Sequence, residues 1–285
     1  MKKRILSILL LCCMVLTLLP TTVLAADGPM DTIPKYDVSI DVYNRTSDIS
    51  IKDSRSYYIY SSVPDKLRDT WAWDKKIFIK GDKTAPHVFI DGVNIEMSPS
   101  SKGPAIELNK KASAYIYFIG KNSSLQGADG RAAIQKNRSE GQLYVLARTG
   151  TTVTCKGGDK AAGIGGSYAT RNISNGYYNG DMYGHGVNMH FGSRSNPDYW
   201  GGIIAAIGGN GGAGIGGGQG GAGEKLYFYS GTIQATSDRF ASGIGGSYEG
   251  RGSEIYIYGG TVSAQGGEAV SYTHLRAHET TLHLV

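Results

Sequence analysis

The sequence contains few cysteines, few prolines and few charged side chains. Of its 285 residues, three are Cys, eight are Pro and 19% are charged. Cys12 and Cys13 lie in an apolar run near the N-terminus, so Cys155 alone remains in the body of the chain. One thiol cannot close an internal disulfide, and the fold must therefore be held together by packing and hydrogen bonds.

The excess of positive charge is also small once the N-terminal segment is set aside. Residues 1–25 carry three basic side chains, then an apolar run, then Val23-Leu24-Ala25, a pattern typical of a secretory signal peptide. Removing three positive charges lowers the formal net charge from +5 to +2. A nearly neutral chain gives no support for nucleic acid or an anionic membrane as partner. A membrane anchor is the alternative interpretation, but no basic stop-transfer cluster follows the run.

The last residues are unlike the rest of the chain. The stretch VSYTHLRAHET, residues 270–280, resembles the translation of a transposase-based sequencing adapter. We therefore expect residues 270–285 not to be native. The alternative is a genuine polar tail, in which His274, His278 and His283 would form a small candidate metal cluster.

No long stretch after residue 25 has the period of a helix. Short segments rich in β-branched and aromatic residues alternate instead with Gly, Asp and Asn, which is typical of strands and turns. The predicted strands lie in YDVSIDVY, DISIKD, SYYIYSS, KIFIKG, HVFIDGVNIEM, AYIYFIG, QLYVLA, TTVTCKGG, KLYFYSGTIQAT and EIYIYGGTVSA. The protein is predicted to be all-β.

Two Gly-rich stretches repeat one pattern at a spacing of 29 residues. Four apolar columns keep this spacing, as do neighbouring Tyr and Thr positions and the charged pair Lys225 and Glu254. The apolar pairs are Ile215 with Ile244, Leu226 with Ile255, Phe228 with Ile257 and Ile233 with Val262. A column of a small residue followed by Ile continues upstream through Ile164, Ile134 and Ile106. A flexible linker has no reason to keep such a register.

A unit of this length must stack on its neighbours to bury its apolar face. The sequence therefore predicts a parallel β-helix (solenoid) with coils of about 29 residues and Gly-rich corners at the three GIGG motifs, where positive φ or close approach of coils excludes a Cβ. The predicted parts are an N-terminal β cap at 26–75 and a repeat domain at 76–269 with an insertion at 167–200. Bundled polyproline II helices are the alternative for the Gly-rich stretch, but they leave the interleaved strands without a place.

Alternation within the last two repeats places aromatic side chains on the outer surface. Tyr227, Tyr229, Tyr256 and Tyr258 are predicted to point outward, and the insertion adds Trp200. Exposed aromatic faces can stack on sugar rings, while phenol hydroxyls reach sugar oxygens. The same rings could instead serve only to stabilise the sheet as cross-strand pairs. An exposed Lys225–Glu254 ion pair would contribute little.

The sequence holds no recognisable catalytic or metal signature, and no cofactor is predicted. A glycosidase needs two converging carboxylates, but Asp159, Asp181, Asp198 and Asp238 share no column of the repeat. The set Asp181, His185 and His190 has no metal-ligand spacing, so these are predicted to be solvated loop residues. Calcium-binding nonapeptide repeats require Asp residues that the Gly-rich stretch lacks.

The segments DGVNI, GPAI, SSLQG and AAIQ, followed by the GIGG repeats, resemble a family of Gram-positive surface proteins known as carbohydrate-binding-domain-containing proteins. The resemblance covers about Lys76 to Ala269 and implies a β-helix in a secreted, cell-wall-associated protein. The insertion departs from that pattern, and no sugar-binding residue carries over from the family.

The expected function is thus a non-catalytic carbohydrate-binding or adhesin-like surface protein. A structural stalk that presents another module is the alternative, and a polysaccharide lyase or hydrolase is a third.

Overall fold

Parallel strands stacked coil upon coil form the body of the structure. The computed structural model describes residues 35–98, 103–109, 111–136, 140–168, 173–174, 177–178 and 184–268. The predicted signal peptide at 1–25 and the tail at 270–285 lie outside these ranges. The predicted all-β solenoid is confirmed, with about seven turns and coils about 29 residues apart.

The solenoid has three faces, each of which is one parallel sheet. Sheet A contains β1 (Val38–Asp41), β3 (Ser56–Tyr60), β5 (His87–Asp91), β8 (Ala114–Ile119), β11 (Leu143–Ala147), β16 (Gly186–Phe191), β19 (Gly223–Phe228) and β22 (Gly252–Ile257). Sheet B contains β2 (Ile49–Ile51), β4 (Ile77–Lys80), β7 (Ile106–Asn109), β10 (Ile134–Lys136), β13 (Ile164–Gly165), β18 (Ile215–Gly216) and β21 (Ile244–Gly245). Sheet C contains β6 (Asn94–Glu96), β9 (Ser123–Gln126), β12 (Thr152–Lys156), β17 (Ile203–Gly208), β20 (Thr232–Ser237) and β23 (Thr261–Gln265).

From β4 onward the chain visits sheets B, A and C in each coil. The strands β1 to β3, which fall in the region predicted as a cap, are the first members of sheets A and B. A short 3-10 turn at Asp65–Leu67 lies between β3 and β4. Among the described residues, no helix has the length and apolar character that a membrane crossing requires.

The predicted columns are present in the strand register. Ile106, Ile134, Ile164, Ile215 and Ile244 pair in succession along sheet B. The 29-residue pairs predicted in sheets A and C are confirmed as well. Ile257 continues the inward column of Phe228 but is 44% exposed, because no further coil among the described residues covers it.

The size of the inward side chains changes from coil to coil on sheets A and C. On sheet A, Val145 in one coil is followed by Phe191 in the next coil and by Phe228 in the one after. The rings of Phe191 and Phe228 are nearly parallel, with centroids 5.0 Å apart. In the same two later coils, one inward position of sheet C is occupied by Ala206 and Ala235. All five side chains are buried in one apolar cluster. The core thus combines large residues of sheet A with small residues at one position of sheet C, in keeping with close packing.

Glycine is required at the corners predicted from GIGG. The third residue of each motif, Gly165, Gly216 or Gly245, has a φ of +133°, +137° or +118°. A Cβ at Gly165 would overlap the carbonyl oxygen of Gly216, and one at Gly216 would overlap that of Gly245. Both predicted reasons for glycine, positive φ and close approach of coils, therefore apply.

The predicted insertion at 167–200 is not a single excursion from the solenoid. Its centre is β16, which pairs in parallel with β11 on one side and β19 on the other. The additional residues lie before β16, where β14 (Ile173–Ser174) and β15 (Tyr177–Tyr178) form an antiparallel pair, and after it, at residues 192–202. One coil is therefore enlarged at two corners while its sheets stay continuous.

Candidate functional site

An uninterrupted column of aromatic rings runs along the outer surface of sheet A. Because in-register parallel strands place equivalent side chains above one another, rings at one position stack coil after coil. The column, named here the aromatic ladder, consists of His87, Tyr115, Tyr144, His190, Tyr227 and Tyr256. Successive ring centroids are 4.7, 4.4, 4.4, 4.6 and 5.2 Å apart, with interplanar angles of 5–17°.

A second, broken column lies beside the ladder. Phe89 stacks on Tyr117 at 4.7 Å, and Tyr229 stacks on Tyr258 at 5.4 Å. Between these pairs the position is taken by Leu146, which pairs with Tyr117, so the aromatic series stops there. The two columns are joined across by Tyr256 and Tyr258, whose centroids are 6.3 Å apart.

The structure brings together four of the five residues predicted to bind sugar. Tyr227, Tyr229, Tyr256 and Tyr258 form one outward patch, in which Tyr256 is 41% and Tyr258 is 50% exposed. Trp200 is not a member of this patch. Its ring lies 5.1 Å from that of Tyr117 and 4.8 Å from that of Tyr199, and it covers a small apolar cluster on the outside of sheet A.

The parallel stacking determines which part of each ring meets solvent. Rings separated by about one strand spacing cover one another's faces, so interior members of the ladder present their edges and polar atoms outward. Burial raises the pKa of Tyr144, Tyr227 and Tyr229, and it raises the pKa of Tyr117 to about 12. Their phenols therefore stay protonated at neutral pH and can donate as well as accept hydrogen bonds.

Two histidines belong to the ladder, and sequence reasoning missed both. His87 Nδ1 lies 2.9 Å from the Tyr117 hydroxyl, and His190 Nδ1 lies 3.2 Å from the Tyr229 hydroxyl. Each contact runs diagonally, from the ladder to the second column of the next coil. The available signal was the register, since His87 precedes Tyr115 by one coil.

The prediction that His190 is a solvated loop residue is wrong. His190 lies in β16, is only 8% exposed, and is stacked between Tyr144 and Tyr227. Its Nε2 atom is buried without a hydrogen-bond partner, and burial lowers the pKa of this imidazole to about 4. The ring is thus neutral at physiological pH.

The residues considered for metal binding or hydrolysis are dispersed in the part of the chain that the structure describes. His185 Nδ1 accepts a hydrogen bond from the backbone N–H of Ala222, away from the ladder, and Asp181 lies outside the described residues. Asp159 and Asp238 are exposed in turns between sheets C and B, two coils apart, whereas Asp198 is exposed beyond β16. Across the described ranges, no three His, Cys, Asp or Glu side chains converge on a point suited to a metal ion.

The loop that follows β16, residues 192–202, is fixed to the solenoid at both ends. The Ser230 hydroxyl accepts from the backbone N–H of Ser193 at 2.9 Å and donates to the carbonyl of Trp200 at 2.8 Å. The Thr149 hydroxyl donates to the carbonyl of Asp198 and accepts from the N–H of Gly201. These bonds hold the loop beside the second aromatic column.

Comparison with known proteins gives no match, whether against protein-family models, curated proteins or solved structures.

Proposed function

We propose that this protein is a secreted, non-catalytic β-solenoid that binds carbohydrate at the cell surface through the edge of its aromatic ladder. The observation that supports the proposal is the continuous ladder on one face, with phenol groups repeated at the coil spacing. A linear glycan lying parallel to the solenoid axis would meet phenol hydroxyls in two pairs of neighbouring coils, separated by the imidazole of His190. Many weak contacts of this kind add up through multivalency.

The geometry changes how the sugar would be held. Stacking of sugar rings on flat aromatic faces requires free faces, and within the ladder the faces of neighbouring rings cover each other. Hydrogen bonds from the phenols, with apolar contact along the ring edges, are the interactions that remain. The patch of Tyr227, Tyr229, Tyr256 and Tyr258 is the proposed centre of binding because both aromatic columns are present there, side by side, in two successive coils.

Secretion and attachment to the cell wall are part of the same proposal. Secretion rests on the leader-like pattern of residues 1–25, and attachment rests on the family resemblance of residues 76–269. The small net charge of the rest of the chain argues against nucleic acid and anionic membranes as partners.

A structural stalk is the second candidate function, and the ring-face pairing favours it. Ring pairs that cover each other's faces stabilise the sheet by about 0.2–1 kcal/mol per pair, with no need of a ligand. In that case the solenoid would serve as a spacer and the phenols would be solvated.

Glycan-array binding separates the two functions. The protein is compared with the triple variant Tyr227→Phe, Tyr256→Phe and Tyr258→Phe, which removes three hydroxyls and keeps every ring. We expect the variant to bind about tenfold more weakly, as loss of one or two hydrogen bonds predicts. The control is Thr232→Val with Thr261→Val, which removes two hydroxyls from the outer surface of sheet C.

Near-UV circular dichroism first verifies that the ladder is intact in both variants. Unchanged binding by the triple Phe variant would exclude the phenol edge as the binding surface. A folded parent protein that binds no glycan would favour the stalk.

A further inference from the structure

The loop of residues 192–202 places a cation against the tyrosine patch. The guanidinium carbon of Arg194 lies 4.5 Å from the ring centroid of Tyr258 and 5.4 Å from that of Tyr229. Cations attract the negative faces of aromatic rings at such distances, so both tyrosines help to orient the side chain. The hydrogen bonds of Ser230 and Thr149 fix the loop on either side of Arg194.

Arg194 is exposed, and no carboxylate in the part of the chain that the structure describes neutralises its charge. The ion pairs among the described residues involve other cations, and no Asp or Glu oxygen of these residues lies within 4.0 Å of its guanidinium. Asp198, in the same loop, is exposed and lies beyond that distance. A guanidinium is permanently charged and presents several N–H donors in a planar fork that matches a carboxylate.

We infer that Arg194 makes this surface selective for acidic carbohydrate, namely glycans whose sugars carry carboxylate groups. The inference rests on the proposed carbohydrate-binding function and specifies its ligand class. The carboxylate would accept hydrogen bonds from Arg194, while sugar hydroxyls meet the Tyr258 phenol and the hydroxyls of Ser193 and Ser195, which lie 3.2 Å from each other. Neutral glycans would make only the second set of contacts.

The test compares polygalacturonate with its fully methyl-esterified form, which has the same sugar backbone without the charge. Affinities are measured by biolayer interferometry at low and high salt. We expect the protein to bind polygalacturonate at least tenfold more tightly than the ester, and Arg194→Gln to reduce the acidic affinity to that of the ester, as loss of a charge-assisted hydrogen bond predicts. Added salt should have the same effect.

Two further variants isolate the position and the geometry of the charge. Arg239→Gln removes an equal charge from an exposed turn between β20 and β21, and should leave the preference for acid intact. Arg194→Lys keeps the charge but not the planar fork, and should bind polygalacturonate with intermediate affinity.

Three outcomes would overturn the inference. Equal binding of both polymers by the parent, with loss of binding in the triple Phe variant, would refute acid selectivity and leave carbohydrate binding standing. Equal loss in Arg194→Gln and Arg239→Gln would show a general charge effect and no site at Arg194. A folded parent that binds neither polymer and no other glycan would refute the proposed function, and the inference with it.

Discussion

Substitution of Gly216 by Ala tests whether the corners hold the coils together as the structure indicates. The new Cβ would overlap the carbonyl oxygen of Gly245 and stand 2.9 Å from its carbonyl carbon. A side chain at a φ of +137° is also strained, which costs about 1–2 kcal/mol. To relieve the overlap, the next coil must retreat by about 1 Å, since carbon and oxygen atoms need more than 3 Å.

That retreat weakens the hydrogen bond from the N–H of Gly217 to the carbonyl of Gly245, now 3.0 Å long and worth about 1 kcal/mol. The expected total is about 2–3 kcal/mol, which corresponds to a decrease in Tm of roughly 4–12 °C for a chain of this size. Thermal denaturation followed by far-UV circular dichroism measures it.

Gly150 provides the matched control. Its φ of +84° is also positive, but no atom lies within 4 Å of the place where a Cβ would be. Gly150→Ala should therefore cost only the backbone term, about 1 kcal/mol, or roughly 2–4 °C. Equal decreases in Tm for the two variants would refute the assignment of close coil packing to the GIGG corner.

Three further predictions concern buried side chains. The pKa of His190 falls from 6.5 to about 4 on folding, so as the pH is lowered the unfolded chain binds a proton before the folded protein does. The free energy of unfolding should therefore be highest above pH 6.5 and decrease by up to about 3 kcal/mol toward pH 4, as urea titrations would measure. The substitution His190→Phe should remove most of this pH dependence. Burial raises the pKa of Cys155, so its thiol should react with Ellman's reagent only after denaturation; rapid labelling of the native protein would contradict this. Phe228→Ala should lower the free energy of unfolding by about 3–5 kcal/mol, whereas Phe240→Ala, at an exposed corner, should change it by less than about 1, with denaturant midpoints as the measurement.

The fold could be predicted because a solenoid repeats its local rules along the chain. Ile215 and Ile244, like Leu226 and Ile255, share a column, and a constant separation in sequence becomes a constant position in the coil. Alternation within each strand then decided which tyrosines point outward. Neither step needs knowledge of distant contacts.

The enlarged coil could not be predicted in this way, because its corners vary in length. β16 was missed although Val187, Met189 and Phe191 alternate with polar residues, because the 51-residue step between Ile164 and Ile215 led to the whole of 167–200 being assigned to an insertion. With β16 unrecognised, His190 had no place in the ladder. Lys225 and Glu254 occupy equivalent positions in successive coils, but the structure does not show the predicted ion pair between them.

The candidate site was predicted as to position but not as to orientation. The sequence indicates that Tyr227 lies above Tyr256, but only coordinates show that the rings are nearly parallel and hide their faces. Trp200 and Arg194 belong to a loop whose course depends on hydrogen bonds to Ser230 and Thr149, far away in the sequence. No local sequence pattern indicates that Ser230 and Thr149 bind this loop.

Because successive coils carry equivalent residues at equivalent positions, the number of coils can change during evolution. Gly216 pairs with Gly245 and Ile233 pairs with Val262, so duplication or in-frame loss of 29 codons would again place glycine beside glycine and apolar residues beside apolar residues. The rod would gain or lose one rung of about 4.8 Å, and its cross-section would stay the same. Reach and interior packing can therefore evolve separately in this architecture.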